Sequence, residues 1–142
     1  MYCVEMKQGY TLIDSLTIGS ELENLTAVES LIDRVCQSVG VHEDVYGNVL
    51  IAVTEAVNNA IIHGNKLGKD VPVDLQVFDD DDSFCFLVSD KGTGFDHKNL
   101  PDPTAPENLE KENGRGVFLM RNLADEVAFN ESGNEVRVVF LK

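Results

Sequence analysis

The stretch TEAVNNAIIHGN, residues 54–65, decides how this chain is read. Placed on a helix, Glu55 and Asn59 stand four residues apart and share one face. Val53, Ala56, Val57, Ala60 and Ile61 around them are apolar, so the helix is expected to be largely buried. A carboxylate and an amide on such a helix are costly unless they have partners. A core helix that satisfies both groups internally would account for this stretch alone. Two glycine-containing segments further along the chain point instead to a ligand. Gly64 is expected to stop the helix.

Working outward, the helix is expected from about Glu43 to His63, with Gly47 weakening its first half. Before it, Ser20 and Glu23 match a capping box. Leu22, Leu25, Val28, Leu31, Ile32, Val35 and Val39 follow at helical spacing up to Gly40. Residues 10–18 read as a strand with Leu12, Leu16 and Ile18 on one face and Asp14 as the exception. Downstream, Val71, Val73, Leu75 and Val77 alternate as in a half-buried strand, and residues 83–90 are apolar on both faces. Asp79 to Asp82 between them read as a solvated hairpin tip; their spacing does not match a calcium loop. Residues 91–115 lack periodicity. Val117, Met120, Leu123 and Ala124 predict a short helix, and residues 126–130 and 135–142 a closing hairpin about Ser132-Gly133-Asn134. The order predicts one α+β domain over residues 1–142. Its form is a two-layer sandwich, with a mostly antiparallel sheet and helices on one face.

The formal charge of -14 argues against a direct nucleic-acid partner, whose phosphates call for a basic surface. Cys3, Cys36 and Cys85 stand singly and form neither a zinc motif nor a disulfide framework, which points to the reducing cytoplasm. No signal peptide and no apolar stretch long enough to span a membrane is expected.

The first glycine segment is Asp90-Lys91-Gly92-Thr93-Gly94-Phe95-Asp96. A carboxylate at a strand end can accept a hydrogen bond from an exocyclic amine, and bare glycines let backbone approach a flat ligand. A Rossmann fingerprint is excluded, because no third glycine follows at the required place. The second is Asn113-Gly114-Arg115-Gly116, expected as a loop at the mouth of the 117–124 helix. There, free N–H groups and a forked cation would suit phosphate. Residues 64–70, GNKLGKD, miss the P-loop pattern by glycine spacing and by Asp70, and the protein-kinase HRD and DFG motifs are absent.

E-x-x-x-N on a helix, then D-x-G-x-G, then G-x-G opening a helix resembles the GHKL (Bergerat-fold) ATPase superfamily. TEAVNNAIIHGN, SDKGTGFD and GRGVFLMRNLADEV are most similar to the bacterial anti-sigma factor serine/threonine kinases. The resemblance spans about residues 10–142. It implies that ATP and Mg²⁺ are bound. Glu55 would be the general base and Asn59 the metal ligand. Asp90 would receive the adenine amino group, with Gly92 and Gly94 beside base and ribose. Gly114, Arg115, Gly116 and Val117 would cradle the phosphates under a lid at about 96–113. Lys111 and Arg115 are the candidates for γ-phosphate contact. His63 is expected to bond its own helix-end carbonyls, and Lys66 and Lys69 to be solvated. Asn134 stands where the family commonly has the threonine that helps hold adenine.

The resemblance further implies a cytoplasmic homodimer, built near the first strand. It would hold a sigma factor and phosphorylate an anti-sigma factor antagonist on Ser or Thr. The alternative is a nucleotide-dependent regulatory binding module without phosphotransfer. A complete sensor histidine kinase is not expected, because the region before the nucleotide motifs is too short to hold both a two-helix dimerisation domain and this fold's own first strand and helix.

Overall fold

The structure is a computed structural model that describes residues 9–92 and 112–142, with the backbone alone at 112–115. Five strands form one sheet in the order β1-β2-β3-β5-β4. They are β1 (Thr11–Gly19), β2 (Pro72–Asp79), β3 (Ser83–Ser89), β4 (Glu126–Phe129) and β5 (Glu135–Leu141), and every neighbouring pair is antiparallel. Three helices, α1 (Leu25–Val39), α2 (Glu43–Asn59) and α3 (Glu112–Leu123), complete an α+β fold.

The alternation read in β2 sets the layers. Val73, Leu75 and Val77 are buried, and the register brings Ile18, Leu16, Val88 and Phe86 to the same face. Phe84, Phe86 and Phe140 meet there with ring centroids 5.6–6.2 Å apart, in the edge-on and offset geometries that aromatic quadrupoles favour. From the helices, Val28, Leu31, Ile32 and Val35 of α1 and Val49, Ala52, Val53, Ala56 and Val57 of α2 join this core. Gly40 ends α1 in the left-handed region (φ 79°), with its N–H on the Cys36 carbonyl at 2.9 Å.

Several local expectations are corrected. A bulge between Leu12 and Asp14 sets Leu12 opposite Phe78 and Asp14 opposite Val77, so Leu12 leaves the face of Leu16 and Ile18 and is 50% exposed. Ser20 and Glu23 form no capping box. A single 3₁₀ turn, Leu22–Asn24, precedes α1, and the buried Ser20 hydroxyl donates instead to the Val71 carbonyl at 2.6 Å. The segment expected as a loop at 113–116 lies within α3, whose backbone starts at Glu112. Glycine in a helix costs about 1 kcal/mol, which the packing of Val117 and Met120 can offset. The hairpin tip is held by Asp80, whose Oδ1 accepts from the backbone N–H groups of Asp82 and Ser83.

The helix ends at Gly64, where the sequence places its stop, but not by a left-handed glycine cap. α2 runs on as a π-helical turn, Ala60–Gly64, closed by Asn65 N–H on the Ala60 carbonyl at 2.8 Å. Lys66 and Leu67 then take the left-handed conformation (φ 52° and 60°). The combined helix Glu43–Gly64 is 22 residues long and apolar enough to cross a membrane, contrary to the sequence reading. Here its apolar stripe is the centre of the core. Cys36 and Cys85 are buried, and burial pushes both thiols up to about 11, so neither is a reactive thiolate.

Candidate functional site

α2 places Glu55 and Asn59 one turn apart, as the spacing predicts, and α3 crosses them at Gly116. A Cβ at Gly116 would lie 3.0 Å from Glu55 Oε2, 3.0 Å from Asn59 Nδ2 and 3.2 Å from Asn59 Oδ1. The carboxylate and the amide therefore end at one point, and only a glycine on α3 keeps that point open. Asn59 Nδ2 is buried and has no hydrogen-bond partner among the described residues. An orphaned buried amide is costly, and its retention points to a ligand that the fold is built to receive.

β3 delivers Asp90 to the other side of the same cavity. The π-helical turn carries Gly64 against it: a Cβ on Gly64 would sit 2.3 Å from Asp90 Cγ. A Cβ on Gly92 would in turn sit 2.1 Å from the Gly64 carbonyl oxygen. Gly64 is thus a close-approach glycine. Burial raises the Asp90 carboxyl above its ordinary value, partly offset by the Gly92 N–H, which donates to Oδ1 at 2.8 Å. The cavity holds about 20 Å³ of accessible space and is partly open to solvent. Asn59, Asp90, Asn134 and Glu135 are its polar walls, and Val88, Met120, Phe129 and Val136 its larger apolar ones. A few convergent polar groups on an apolar pocket are what a flat heteroaromatic ring requires.

Glu55, Asn59, Asp90, Gly92 and Gly116 are therefore brought together from three distant segments, and Val117 is buried in the core behind them. Gly114 and Arg115 are on the α3 backbone, their surroundings outside the described residues, as are Cys3, Gly94, Lys111 and positions 96–111 of the expected lid. His63 is exposed, and no hydrogen bond to its helix-end carbonyls is found among the described residues. Lys66 and Lys69 are exposed as expected. No cluster of three His, Cys, Asp or Glu side chains suited to a metal occurs among the described residues. Two parts of the site went unread in the sequence: the buried Asn65 and the walls Met120 and Phe129. Asn65 carried a signal, since an amide just past a buried apolar helix needs partners. Met120 and Phe129 carried none beyond their apolarity.

Residues 18–140 match the family model of the histidine kinase-like ATPase domain. The chain is 30% identical over 126 residues to proteins named serine-protein kinase RsbW from Staphylococcus aureus strains JH9 and Newman. That match covers 83% of this chain and 79% of the relative. Among solved structures, the crystal structure of the RsbU and RsbW domains of Rv1364c from Mycobacterium tuberculosis is similar in fold, with a TM-score of 0.56 at 14% identity. It matches 91% of this chain and 32% of that one.

Proposed function

Because this chain belongs to the histidine kinase-like (GHKL) ATPase domain family, in common with the RsbW serine-protein kinases, we propose that it is an anti-sigma factor serine/threonine kinase. It binds Mg-ATP and phosphorylates an anti-sigma factor antagonist on Ser or Thr, which decides whether a sigma factor is held. The observation that carries this reading is the convergence of Glu55 and Asn59 at Gly116, with Asn59 also lining the cavity that holds Asp90.

The residues fit the implied groups. Asn59 Oδ1 is a hard neutral oxygen beside an opening that Gly116 leaves clear, the donor type that suits Mg²⁺, which keeps waters and phosphate oxygens as its other ligands. Bound there, Mg²⁺ supplies neutralisation of phosphate charge. Asp90 accepts the exocyclic amine of the base, and Val88, Met120, Phe129 and Val136 give the ring an apolar bed. Glu55 takes the proton from the attacking hydroxyl as that oxygen bonds the γ-phosphorus, the bridging P–O bond breaks and ADP leaves. Arg115 serves the γ-phosphate, with Gly94, Gly114 and Val117 beside the nucleotide. The protein works in the cytoplasm as a homodimer near β1, where Leu12 and Ile13 are exposed.

The test is Glu55→Gln against wild type, with ADP binding by calorimetry and transfer from [γ-³²P]ATP to candidate antagonists. Loss of a general base costs about 10²–10⁴-fold in transfer, and ADP affinity should hold within about twofold, a change below 0.5 kcal/mol. A wild type that binds ADP and controls its partner without transfer would establish the non-enzymatic switch instead. A folded wild type that takes up no nucleotide would overturn both.

A further inference from the structure

The turn that carries Asp90 is tied down from two sides. Asp90 N–H donates to the Asn134 carbonyl at 2.9 Å, and Lys91 N–H donates to Asn65 Oδ1 at 2.8 Å. The Gly92 carbonyl accepts from Asn134 Nδ2 at 3.1 Å, and its N–H closes on Asp90 Oδ1. Asn65 comes from the end of the π-helical turn and Asn134 from the β4–β5 turn, so the straps are independent.

Both amides are fixed in orientation. Asn65 is 8% exposed and is not in the cavity wall. Its Nδ2 donates to Ser20 Oγ and to the Pro72 carbonyl, each at 2.9 Å, so rotating the amide would set two acceptors against its oxygen and Lys91 N–H against its NH₂. Asn134 Oδ1 accepts from Asn130 Nδ2 at 2.7 Å and Ser132 Oγ at 2.9 Å. Asn130 Oδ1 is itself anchored by the N–H groups of Gly133 and Glu135. Asp90 is left with one oxygen, Oδ2, that accepts no hydrogen bond among the described residues. A group whose rotamer is locked before its ligand arrives loses little entropy on binding.

Resting on the function proposed above, we propose that Asn65 and Asn134 are positioning residues that hold the 90–92 backbone turn, and through its Gly92 N–H the Asp90 carboxylate, and thereby set the preference for a 6-amino over a 6-oxo purine. Asn65 acts without touching the ligand. The inference goes beyond the contact between Asp90 and the base: it assigns the selectivity of that contact to two amides behind it.

The experiment measures affinity of the full chain for ADP, IDP and pyrophosphate, all with Mg²⁺, for wild type, Asn65→Ala, Asn134→Ala and Ser20→Ala, with melting curves of each. Ser20 accepts from the far side of Asn65 and does not touch the Asp90 turn, so Ser20→Ala reports general loosening. Wild type should prefer ADP by about tenfold or more, as expected for a charge-assisted hydrogen bond. Asn65→Ala and Asn134→Ala should bring the ADP-to-IDP ratio to within about threefold and leave pyrophosphate affinity unchanged, since uncoupled sites behave additively. Ser20→Ala should keep the wild-type ratio. Should Asn65→Ala fail to fold, Asn65→Ser, too short to reach the Lys91 N–H, takes its place, because Asn134 also lines the cavity. Folded Asn65 and Asn134 variants with the wild-type ratio, or an equal change in Ser20→Ala, overturn the inference alone. A wild type that binds no ADP overturns the function proposed above and this inference with it.

Discussion

Gly116→Ala separates what α3 does for the fold from what it does for the site. Gly116 lies in the helix and is not among the glycines with positive φ, so alanine fits the backbone. Glycine-to-alanine in a helix interior gains about 0.8–1 kcal/mol. Against that, the new methyl meets Asn59 Nδ2 and Glu55 Oε2 at 3.0 Å and Asn59 Oδ1 at 3.2 Å. These are side-chain ends, which can retreat by a few tenths of an ångström for about 0.5–1 kcal/mol of rotamer strain. The two effects nearly cancel, and the unfolding free energy should stay within about 1 kcal/mol of wild type. Function should not survive in the same way. The methyl fills the point on which base and amide converge, so Mg-ADP affinity should fall at least tenfold, about 1.4 kcal/mol. Transfer should fall about 10²-fold, the scale of an ångström misplacement. Urea unfolding and calorimetry on the same samples give both numbers. Wild-type nucleotide affinity in Gly116→Ala would falsify the site geometry; a stability loss beyond about 2 kcal/mol would show that the glycine serves packing instead.

Two further predictions follow from the same reasoning. Asp90→Asn keeps the acceptor for Gly92 N–H but removes a charge that burial disfavours, so it should raise the melting temperature at neutral pH while weakening ADP by about 10–100-fold, the worth of a charged hydrogen bond. The folded carboxyl titrates above its unfolded value, so ionised Asp90 costs stability above the folded value; that cost is relieved as pH falls through it and is gone below the unfolded value. The advantage of Asp90→Asn should shrink in step, and an advantage unchanged down to acid pH would refute the account. Gly40→Ala and Gly47→Ala make an opposed pair, since a Cβ at either meets nothing within 4 Å. Gly40, at φ 79°, should lose roughly 1–2 kcal/mol of stability, whereas helical Gly47 should gain about 1 kcal/mol. Denaturant midpoints that move in the same direction would show that backbone conformation is not what distinguishes them.

The legible parts of the fold were those where one periodic signal spans many residues. Val73, Leu75 and Val77 fix the buried face of β2, and the run from Val28 to Val35 fixes that of α1. Single-residue signals told less, because each admits two uses. Ser20 caps helices, but its hydroxyl here serves Val71 and Asn65 across the layers. Gly64 does end its helix, but it also admits the Asp90 carboxylate, a second use that nothing local announces. One inserted residue at the β1 bulge was enough to turn Leu12 to the opposite face, which no alternation can register.

By itself, the sequence determined the identity of the chemical groups and the elements that carry them: a carboxylate and an amide one turn apart on α2, and a carboxylate at the end of β3. Helical spacing and strand alternation are local, so they are written in neighbouring residues. Tertiary structure alone decided that Gly116 meets both α2 side chains and that Gly64 meets Asp90. It alone decided that Asn65 and Asn134 grip one turn from opposite sides. Those relations join residues up to 61 positions apart, from Glu55 to Gly116, and arise only when the packed core brings their elements within van der Waals reach.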